Sequence, residues 1–253
     1  MIYSDYHMHT IFADGKNTPE QMVTEALKAG LHTVGFSEHA YVPFDPDWCM
    51  SPESTEQYRR EILLLKSKYD GQINILCGIE MDYDSVDDRS KYDYVIGSVH
   101  YLTVGGVNYS VDLSPQETLR CVRDAFGGDF DSYAEAYFEK VSRLKEVTGA
   151  DIIGHFDLIT KFCRLGAGPD IHSERYISAW RTALGCLAGE VALEINTGGM
   201  ARGYTEQPYP SEDILRRWNS LGGRVVLSSD THDDRHIACL FDRAALLAKD
   251  CGF

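Results

Sequence analysis

Short apolar runs rich in β-branched residues alternate along this chain with longer amphipathic segments. Each run ends in a polar cluster, and seven can be distinguished: IYSDYHMH, TVGFSEH, INILCGIEMD, YVIGSVHY, DIIGHFD, VALEINTGG and RVVLSSDTH. Runs of this length and composition are typical of buried strands. Because strands that alternate with helices form parallel sheets with right-handed crossovers, the pattern predicts seven parallel strands in an α/β fold.

Two segments between these strands carry clear signals for the start of a helix. Thr18-Pro19-Glu20-Gln21 and Ser114-Pro115-Gln116-Glu117 both match a capping box with proline at the first helical position. The predicted helical segments are PEQMVTEALKAG, STEQYRREILLLKSKYDG, a region from Ser114 to about Gly149, SERYISAWRTALGCLAG and SEDILRRWNSLG.

The polar clusters all stand at the carboxyl ends of the predicted strands. In α/β barrels these ends form the face on which active sites are built. The pattern therefore predicts one barrel domain, residues 1–253, with its chemistry at one mouth. An open doubly wound sheet is the alternative fold. The first strand is followed by neither a GxGxxG nor a Walker-type loop, which counts against a nucleotide-binding sheet.

Composition narrows the classes of function. The formal net charge of −15 opposes binding to a nucleic-acid backbone, so any phosphate bound here needs local positive charge from metals or arginines. No segment approaches the ~20 apolar residues that span a bilayer, and the N-terminal stretch lacks the basic and apolar regions of a secretory signal. Seven scattered cysteines without a CxxC pair predict reduced thiols and a cytoplasmic protein.

Histidines and carboxylates are concentrated at the predicted strand ends. Six of the nine histidines lie there, namely His7, His9, His39, His100, His155 and His232. Glu38, Glu80, Asp157, Glu194, Asn196 and Asp230 stand beside them. The alternative is a polar hydrogen-bonded network that caps the strands. Histidines and carboxylates occur together at strand after strand, however, and this favours a metal site. Imidazole and carboxylate together suit zinc, manganese or iron. The remaining histidines, His32, His172 and His236, are predicted to be structural or solvated.

The motifs as a series resemble those of a known family. DYHMHT with ADG, FSEHA, GIEMD, GSVHY, GHFDLI, EIN and SSDTH are similar, in this order, to the motifs of the polymerase and histidinol phosphatase superfamily. The resemblance runs from about residue 3 to residue 235. GSVHY and GHFDLI are most similar to its histidinol-phosphatase branch.

This resemblance implies a distorted seven-stranded, TIM-like β/α barrel that holds three divalent transition-metal ions. It assigns His7, His9, Glu80 and Asp230 to the first ion. Glu80 would bridge to the second ion, which His100 and His155 complete. Asp14, His39 and His232 would hold the third ion. Each of these nine positions carries a competent ligand in this chain.

Clustered metal ions suit phosphoester hydrolysis, because they make hydroxide available near neutral pH and offset charge on phosphate oxygens. No protein nucleophile is then required. With the resemblance, this predicts a phosphomonoesterase that hydrolyses L-histidinol phosphate in histidine biosynthesis. The alternatives are a sibling enzyme that acts on a nucleotide, sugar phosphate or phosphotyrosine peptide, and a non-catalytic module whose metals only hold the barrel together. The oligomeric state stays open.

Three basic residues are candidates for binding the substrate phosphate. Arg202 follows the glycine-rich NTGG segment, Lys161 follows GHFD, and Arg164 is a rival to Lys161; solvated surface charges are the alternative. Glu38, Asp157, Glu194 and Asn196 are candidates for orienting the ligands or water, with plain hydrogen bonding at the strand ends as the alternative. The aromatic segment 40–50 is a candidate pocket wall or else a packed loop.

Overall fold

The computed structural model describes residues 4–253, and the prediction of seven parallel strands is confirmed. Nine strands lie within these described residues: β1 (Ser4–Asp5), β2 (Thr33–Phe36), β3 (Asn74–Asp82), β4 (Tyr94–Ser98), β5 (Tyr101–Val104), β6 (Val107–Ser110), β7 (Ile152–Ile153), β8 (Ala192–Asn196) and β9 (Arg224–Ser228). Seven of them form one parallel sheet in the order β1-β2-β3-β4-β7-β8-β9. The first predicted run begins at Ile2, and its part before Ser4 lies outside the described residues.

The parallel sheet curls into a nearly closed barrel. Just beyond β1, Met8 pairs with Thr231 in a parallel bridge, and the His9 N–H donates to the Thr231 carbonyl at 2.8 Å. This bridge joins the first and last strands of the sheet. Because the strand order follows the chain order and the edges meet, the predicted barrel is confirmed and the open doubly wound sheet is wrong.

The helices follow the predicted segments closely. They are α1 (Pro19–Lys28), α2 (Pro52–Lys68), α3 (Pro115–Phe126), α4 (Phe130–Ser142), α5 (Leu144–Thr148), α6 (Glu174–Leu187), α7 (Gly198–Ala201), α8 (Glu212–Ser220) and α9 (Phe241–Asp250). Short 3₁₀ turns occur at Arg89–Lys91, Leu158–Thr160, Cys163–Leu165 and Asp234–His236. The predicted helical region from Ser114 to about Gly149 is therefore three helices, α3 to α5.

One predicted capping box forms and the other forms only in part. Thr18 accepts from the Gln21 N–H at 3.3 Å, and the Gln21 side chain accepts from the Thr18 N–H at 2.8 Å. Ser114 likewise accepts from the Glu117 N–H at 3.1 Å. The Glu117 carboxylate, however, binds the Arg120 guanidinium at 2.5 and 2.7 Å. The reciprocal contact predicted for Glu117 is therefore wrong, because a charged partner one turn away takes its side chain.

The sequence analysis missed the β5–β6 hairpin and the helices α7 and α9. Gly105 and Gly106 join the two hairpin strands with φ of 60° and 80°, and a Gly-Gly pair between alternating strands is a recognised hairpin signal. The hairpin starts directly after His100, so it extends the wall of the barrel mouth.

A small apolar layer fills the barrel beneath that mouth. Tyr94, Ile96, Ile152 and Ala192 pack there. The Tyr94 ring fits because Gly35 and Gly78 leave the space beside it free, where a Cβ at either position would overlap the ring. Since side chains alternate along a strand, Ser98 points inward with Ile96, one step closer to the mouth. The apolar layer thereby forms the floor of the site.

Candidate metal centre

All nine residues that the resemblance assigns to metal ions lie at the mouth of the barrel. Eight of them fall into three groups, and within each group the ligand atoms lie within 4.8 Å of one another: His7, His9 and Asp230; His39, Glu80 and His100; and His9, Asp14, His39 and His232. His155 joins the second group through Glu80. The strand ends deliver these side chains because every parallel strand of the barrel points its carboxyl end to the same mouth.

The first group has the spacing of ligands around one ion. His7 Nε2 lies 3.3 Å from Glu80 Oε2 and 3.8 Å from Asp230 Oδ1, and His9 Nε2 lies 3.6 and 3.5 Å from the same two atoms. Ligand atoms about 2.0 Å from a tetrahedral ion stand about 3.3 Å apart. The four donors therefore surround a space of the right size for a transition-metal ion.

Buried polar atoms without partners support the same fit. His7 Nε2 and His9 Nε2 are fully buried, and neither has a hydrogen-bond partner within residues 4–253. A buried polar atom without a partner costs about 1–3 kcal/mol, and more when it is charged. Both atoms face the carboxylates of Glu80 and Asp230, and a cation bound among the four side chains would satisfy them. The donor set thus fits a divalent metal ion.

Glu80 offers its two oxygens to two different groups. Oε2 faces His7 and His9 and lies 2.7 Å from His39 Nδ1, whereas Oε1 lies 3.0 Å from His155 Nε2 and 3.7 Å from His100 Nε2. The Ser98 hydroxyl also donates to Oε1 at 2.6 Å. This is the arrangement of a carboxylate that can bridge two ions.

The third group opens toward solvent. Asp14 Oδ1 lies 3.6 Å from His39 Nε2, and Asp14 Oδ2 lies 3.2 Å from His232 Nε2. The rings of His39 and His232 both stack on His9, with centroids 4.0 and 4.2 Å away. The Asp14 side chain is 37% exposed. An ion held here would stand at the accessible edge of the cluster.

Two of the four predicted supporting residues contact metal-ligand candidates. Glu194 Oε2 lies 2.8 Å from His7 Nδ1, and its Oε1 accepts from the His155 N–H at 2.6 Å. Asn196 Nδ2 lies 3.3 Å from Asp230 Oδ2. A carboxylate on the second ring nitrogen fixes the orientation of a ligating histidine. Glu194 therefore aims His7 Nε2 at Glu80 and Asp230.

The other two predicted supporting residues bind residues outside the ligand set. Glu38 accepts from the Thr10 hydroxyl at 2.5 Å, and Asp157 accepts from the Ser211 N–H at 3.1 Å. Burial raises the pKa of each carboxyl to about 7. Both contacts are hydrogen bonds at the strand ends to residues that are not metal-ligand candidates.

One supporting residue was missed in the sequence. Asp82 accepts from the His100 N–H at 2.7 Å, and the same oxygen, Oδ2, lies 3.3 Å from His100 Nδ1. Asp82 follows Glu80 by two positions on β3, so both side chains share the inward face. The period of two within GIEMD was the available signal.

The cluster is strongly polarised. Burial opposes ionisation of Glu80, yet the neighbouring His7, His39 and His100 hold the pKa of its carboxyl well below the usual range. Burial likewise opposes the charged form of His100, but Glu80 raises the pKa of that imidazole to about 9. The low pKa of Glu80 therefore depends on nearby positive charge, which either protons on the imidazoles or metal ions can supply.

A cavity of about 580 Å³ covers the cluster. Its lining includes the aromatic residues Trp48, Tyr101, Tyr204 and Tyr209 and the basic residues Lys161 and Arg202. Arg164 stands outside this lining and pairs with Glu206 at 3.1 Å, with 57% of its side chain exposed. Trp48 belongs to the segment 40–50, which was a candidate pocket wall. His32, His172 and His236 lie outside the three ligand groups.

Comparison with known proteins identifies the family. The PHP domain pattern matches residues 5–198, about three quarters of the chain. The chain belongs to the PHP family. The matched span contains seven of the nine PHP metal-ligand candidates, while Asp230 and His232 lie beyond it on the segment that follows β9.

The curated relatives in the PHP family are histidinol-phosphatases. The probable histidinol-phosphatase of Deinococcus radiodurans is 30% identical over 98% of this chain and 93% of its own length. The histidinol-phosphatase of Bacillus subtilis is 29% identical over 90% of this chain and 92% of its own length.

Solved structures share the PHP fold. The histidinol phosphate phosphatase of Lactococcus lactis, complexed with zinc, L-histidinol and phosphate, has a TM-score of 0.72 at 28% identity and covers 99% of this chain and 94% of that one. The putative histidinol phosphatase of Listeria monocytogenes reaches a TM-score of 0.83 at 23% identity, over 95% and 99% of the two chains. Within residues 4–253, no helix has the length and apolar character to cross a bilayer.

Proposed function

We propose that this protein is a metal-dependent phosphomonoesterase that hydrolyses L-histidinol phosphate to L-histidinol and phosphate. The observation that carries the proposal is Glu80, whose two oxygens face imidazoles on two sides, next to a cavity that His100 and His155 line. The relatives that cover nearly the whole chain are named for this reaction, and that of Lactococcus lactis binds zinc, L-histidinol and phosphate. The reaction belongs to histidine biosynthesis, and we place it in the cytoplasm.

We propose three divalent ions, of zinc, manganese or iron, held by the ligand sets that the resemblance implies. His7, His9, Glu80 and Asp230 would hold the first, Glu80, His100 and His155 the second, and Asp14, His39 and His232 the third. When bound, such ions supply Lewis acidity, which makes hydroxide available near neutral pH and offsets the charge of a phosphate. The protein residues then need to bind and orient the ester and supply no nucleophile.

Arg202 is the first residue that we propose to orient the substrate phosphate. Its guanidinium donates to the Asp230 carbonyl at 2.8 Å and to Asp230 Oδ2 at 3.0 Å. These contacts use two of the five N–H groups of Arg202 and hold its planar guanidinium at the cavity wall. The remaining N–H groups of Arg202 would bind non-bridging phosphate oxygens next to the first ligand group.

Lys161 is the second basic residue proposed to bind phosphate. Its ammonium donates to the Asp112 carbonyl at 2.8 Å and to the Asp112 carboxylate at 3.1 Å, which leaves one N–H for a ligand. The neighbouring Tyr204 ring lies 4.9 Å from this ammonium. Arg164, exposed and paired outside the cavity, has no comparable placement.

Steady-state kinetics of the metal-loaded protein test this function. We expect kcat/KM for L-histidinol phosphate to exceed that for a nucleotide, a sugar phosphate and a phosphotyrosine peptide by at least ~10-fold, about 1.4 kcal/mol in the barrier. A preference for one of the other esters would make the protein a sibling enzyme. Full metal content without hydrolysis of any ester would leave only the non-catalytic module.

A further inference from the structure

One carboxylate in the cavity lining is not a metal-ligand candidate and has no cationic partner among the described residues. Among the described residues, the lining carboxylates are Asp14, Asp45, Asp112 and Asp230. Asp14 and Asp230 face imidazoles, and Asp112 is paired with Lys161. Asp45 has no Lys, Arg or His nitrogen within 4.0 Å in the part of the chain described. It therefore brings a free negative charge to the cavity.

Asp45 is oriented by a neutral donor. The Tyr101 hydroxyl, at the start of β5, donates to Asp45 Oδ2 at 2.7 Å, and the Asp45 N–H is bound to the Val42 carbonyl at 3.2 Å. The loop between β2 and α2 thus positions the Asp45 backbone, and the Tyr101 hydroxyl on β5 orients its carboxylate. Within residues 4–253 no hydrogen bond to its other oxygen, Oδ1, is found, so Oδ1 is available for a ligand.

An aromatic wall connects Asp45 to the metal centre. The Trp48 ring lies 6.0 Å from the Tyr101 ring and 4.5 and 5.4 Å from the rings of His39 and His100. A molecule whose phosphate is held at the metal centre can extend its other end along Trp48 toward Asp45. Aromatic faces favour flat rings and cations, and a carboxylate favours an N–H donor with positive charge.

We propose that Asp45, oriented by Tyr101, is the specificity-determining residue that binds the positively charged nitrogen in the tail of the phosphomonoester. This inference rests on the proposed function. The shared chemistry is a cationic N–H donor, which in L-histidinol phosphate is either the ammonium group or the protonated imidazole. The same charge repels tails that carry further anionic groups, so Asp45 selects against nucleoside polyphosphates and sugar bisphosphates.

The test compares two variants on substrates that differ only in their tails. Asp45→Asn keeps the shape of the side chain but removes the charge. Asp47→Asn is the matched control, because Asp47 is exposed on the same loop and outside the cavity lining. The substrates are L-histidinol phosphate, phosphoethanolamine with an ammonium tail, 2-(imidazol-4-yl)ethyl phosphate with an imidazole tail, and phenyl phosphate with an uncharged tail.

We expect Asp45→Asn to lower kcat/KM for L-histidinol phosphate by about 10- to 150-fold, the range for loss of a hydrogen bond between charged groups. Phenyl phosphate should be hydrolysed as by the wild type, and Asp47→Asn should match the wild type on every substrate. A loss shared with phosphoethanolamine identifies the ammonium as the group bound, and a loss shared with the imidazole ester identifies the ring. Equal losses on all four esters, or none on L-histidinol phosphate, overturn the proposal.

Substitution of Tyr101 tests separately whether its hydroxyl orients the Asp45 carboxylate. Tyr101→Phe removes only the hydroxyl that holds Asp45, so it should reduce the preference for cationic tails less than Asp45→Asn does. In the double variant the two losses should not add, because both act on one contact. Full additivity would show that Tyr101 does not act through Asp45.

The outcome separates this inference from the proposed function. A wild-type enzyme that prefers a cationic ester other than L-histidinol phosphate contradicts the proposed substrate, yet it supports Asp45 if Asp45→Asn abolishes that preference. A wild-type enzyme specific for L-histidinol phosphate whose Asp45→Asn variant is unchanged confirms the function and overturns the role of Asp45. Preference for uncharged or anionic tails contradicts both.

Discussion

The guanidinium of Arg202 binds Asp230 at both the backbone and the side chain of Asp230. The guanidinium donates to the Asp230 carbonyl at 2.8 Å and to its carboxylate at 3.0 Å. Asp230 has a φ of 49°, in the left-handed region that aspartate enters more readily than most residues. Arg202 therefore stabilises an uncommon backbone conformation at a metal-ligand candidate while it stands at the cavity wall.

This double contact predicts two separable losses in Arg202→Ala. Loss of a charge-assisted phosphate contact should lower kcat/KM by roughly 10- to 150-fold. Loss of support for Asp230 should weaken metal affinity by about 10- to 100-fold. Titration with added metal ion, followed by kinetics at saturation, distinguishes them: saturation restores the metal content but leaves the phosphate loss. Arg243→Ala, on the exposed side of α9, is the control. Wild-type kinetics in Arg202→Ala would refute the phosphate contact.

Glu80 should be the most damaging single position in the cluster. Glu80→Gln keeps the volume of the side chain but loses the charge that both of its oxygens present to the imidazoles. We expect metal content to fall by more than one ion per chain and turnover to fall by orders of magnitude, as measured by elemental analysis and kinetics. His172→Ala, on an exposed loop, should change neither. A Glu80→Gln protein with wild-type metal content would show that Glu80 bridges no ions.

Glu194→Gln should act on metal affinity through His7. The carboxylate lies 2.8 Å from His7 Nδ1 and fixes the direction of Nε2. Substitution by an amide weakens this hydrogen bond, and losses of about 10- to 100-fold in metal affinity are typical of such changes. Competition with a metal-binding indicator measures the change. Glu190→Gln, exposed before β8, should leave the affinity unaltered, and equal affinity in both variants would exclude the orienting role.

Removal of the metals should destabilise the fold as well as abolish activity. Within residues 4–253, His7 Nε2 and His9 Nε2 are buried without a hydrogen-bond partner, so they destabilise the folded state when no ion is bound. At free metal 100-fold above Kd, binding contributes about 2.7 kcal/mol to the free energy of unfolding. For a chain of this size that corresponds to roughly 5–10 °C in Tm. Calorimetry with and without a chelator measures it, and an unchanged Tm would count against the buried site.

The strand and helix pattern was predictable because it depends on local features of the chain. The hydrophobic periodicity predicts the seven strand segments, the cap residues predict the α1 capping box, and the alternation of strands and helices predicts the parallel order. Each of these signals lies in residues that are close together in the chain. The β5–β6 hairpin had a signal in its Gly-Gly pair and was missed all the same. The incomplete capping box at Ser114 was not predictable, because the Glu117 carboxylate could bind either the Ser114 N–H or the Arg120 guanidinium, and it binds Arg120.

The sequence by itself determined which residue types reach the mouth of the barrel, because the strand ends of a parallel barrel converge and motif spacing locates those ends. Only the tertiary structure decided their geometry. It placed Glu80 between two groups of imidazoles, assigned Glu194 to His7 and Asp82 to His100, and turned Lys161 inward while leaving Arg164 outside. It also paired Asp45 with the neutral Tyr101 hydroxyl, and no cationic side chain among the described residues pairs with it. Contacts of this kind join residues far apart in the chain, and their distances depend on how the loops pack over the barrel.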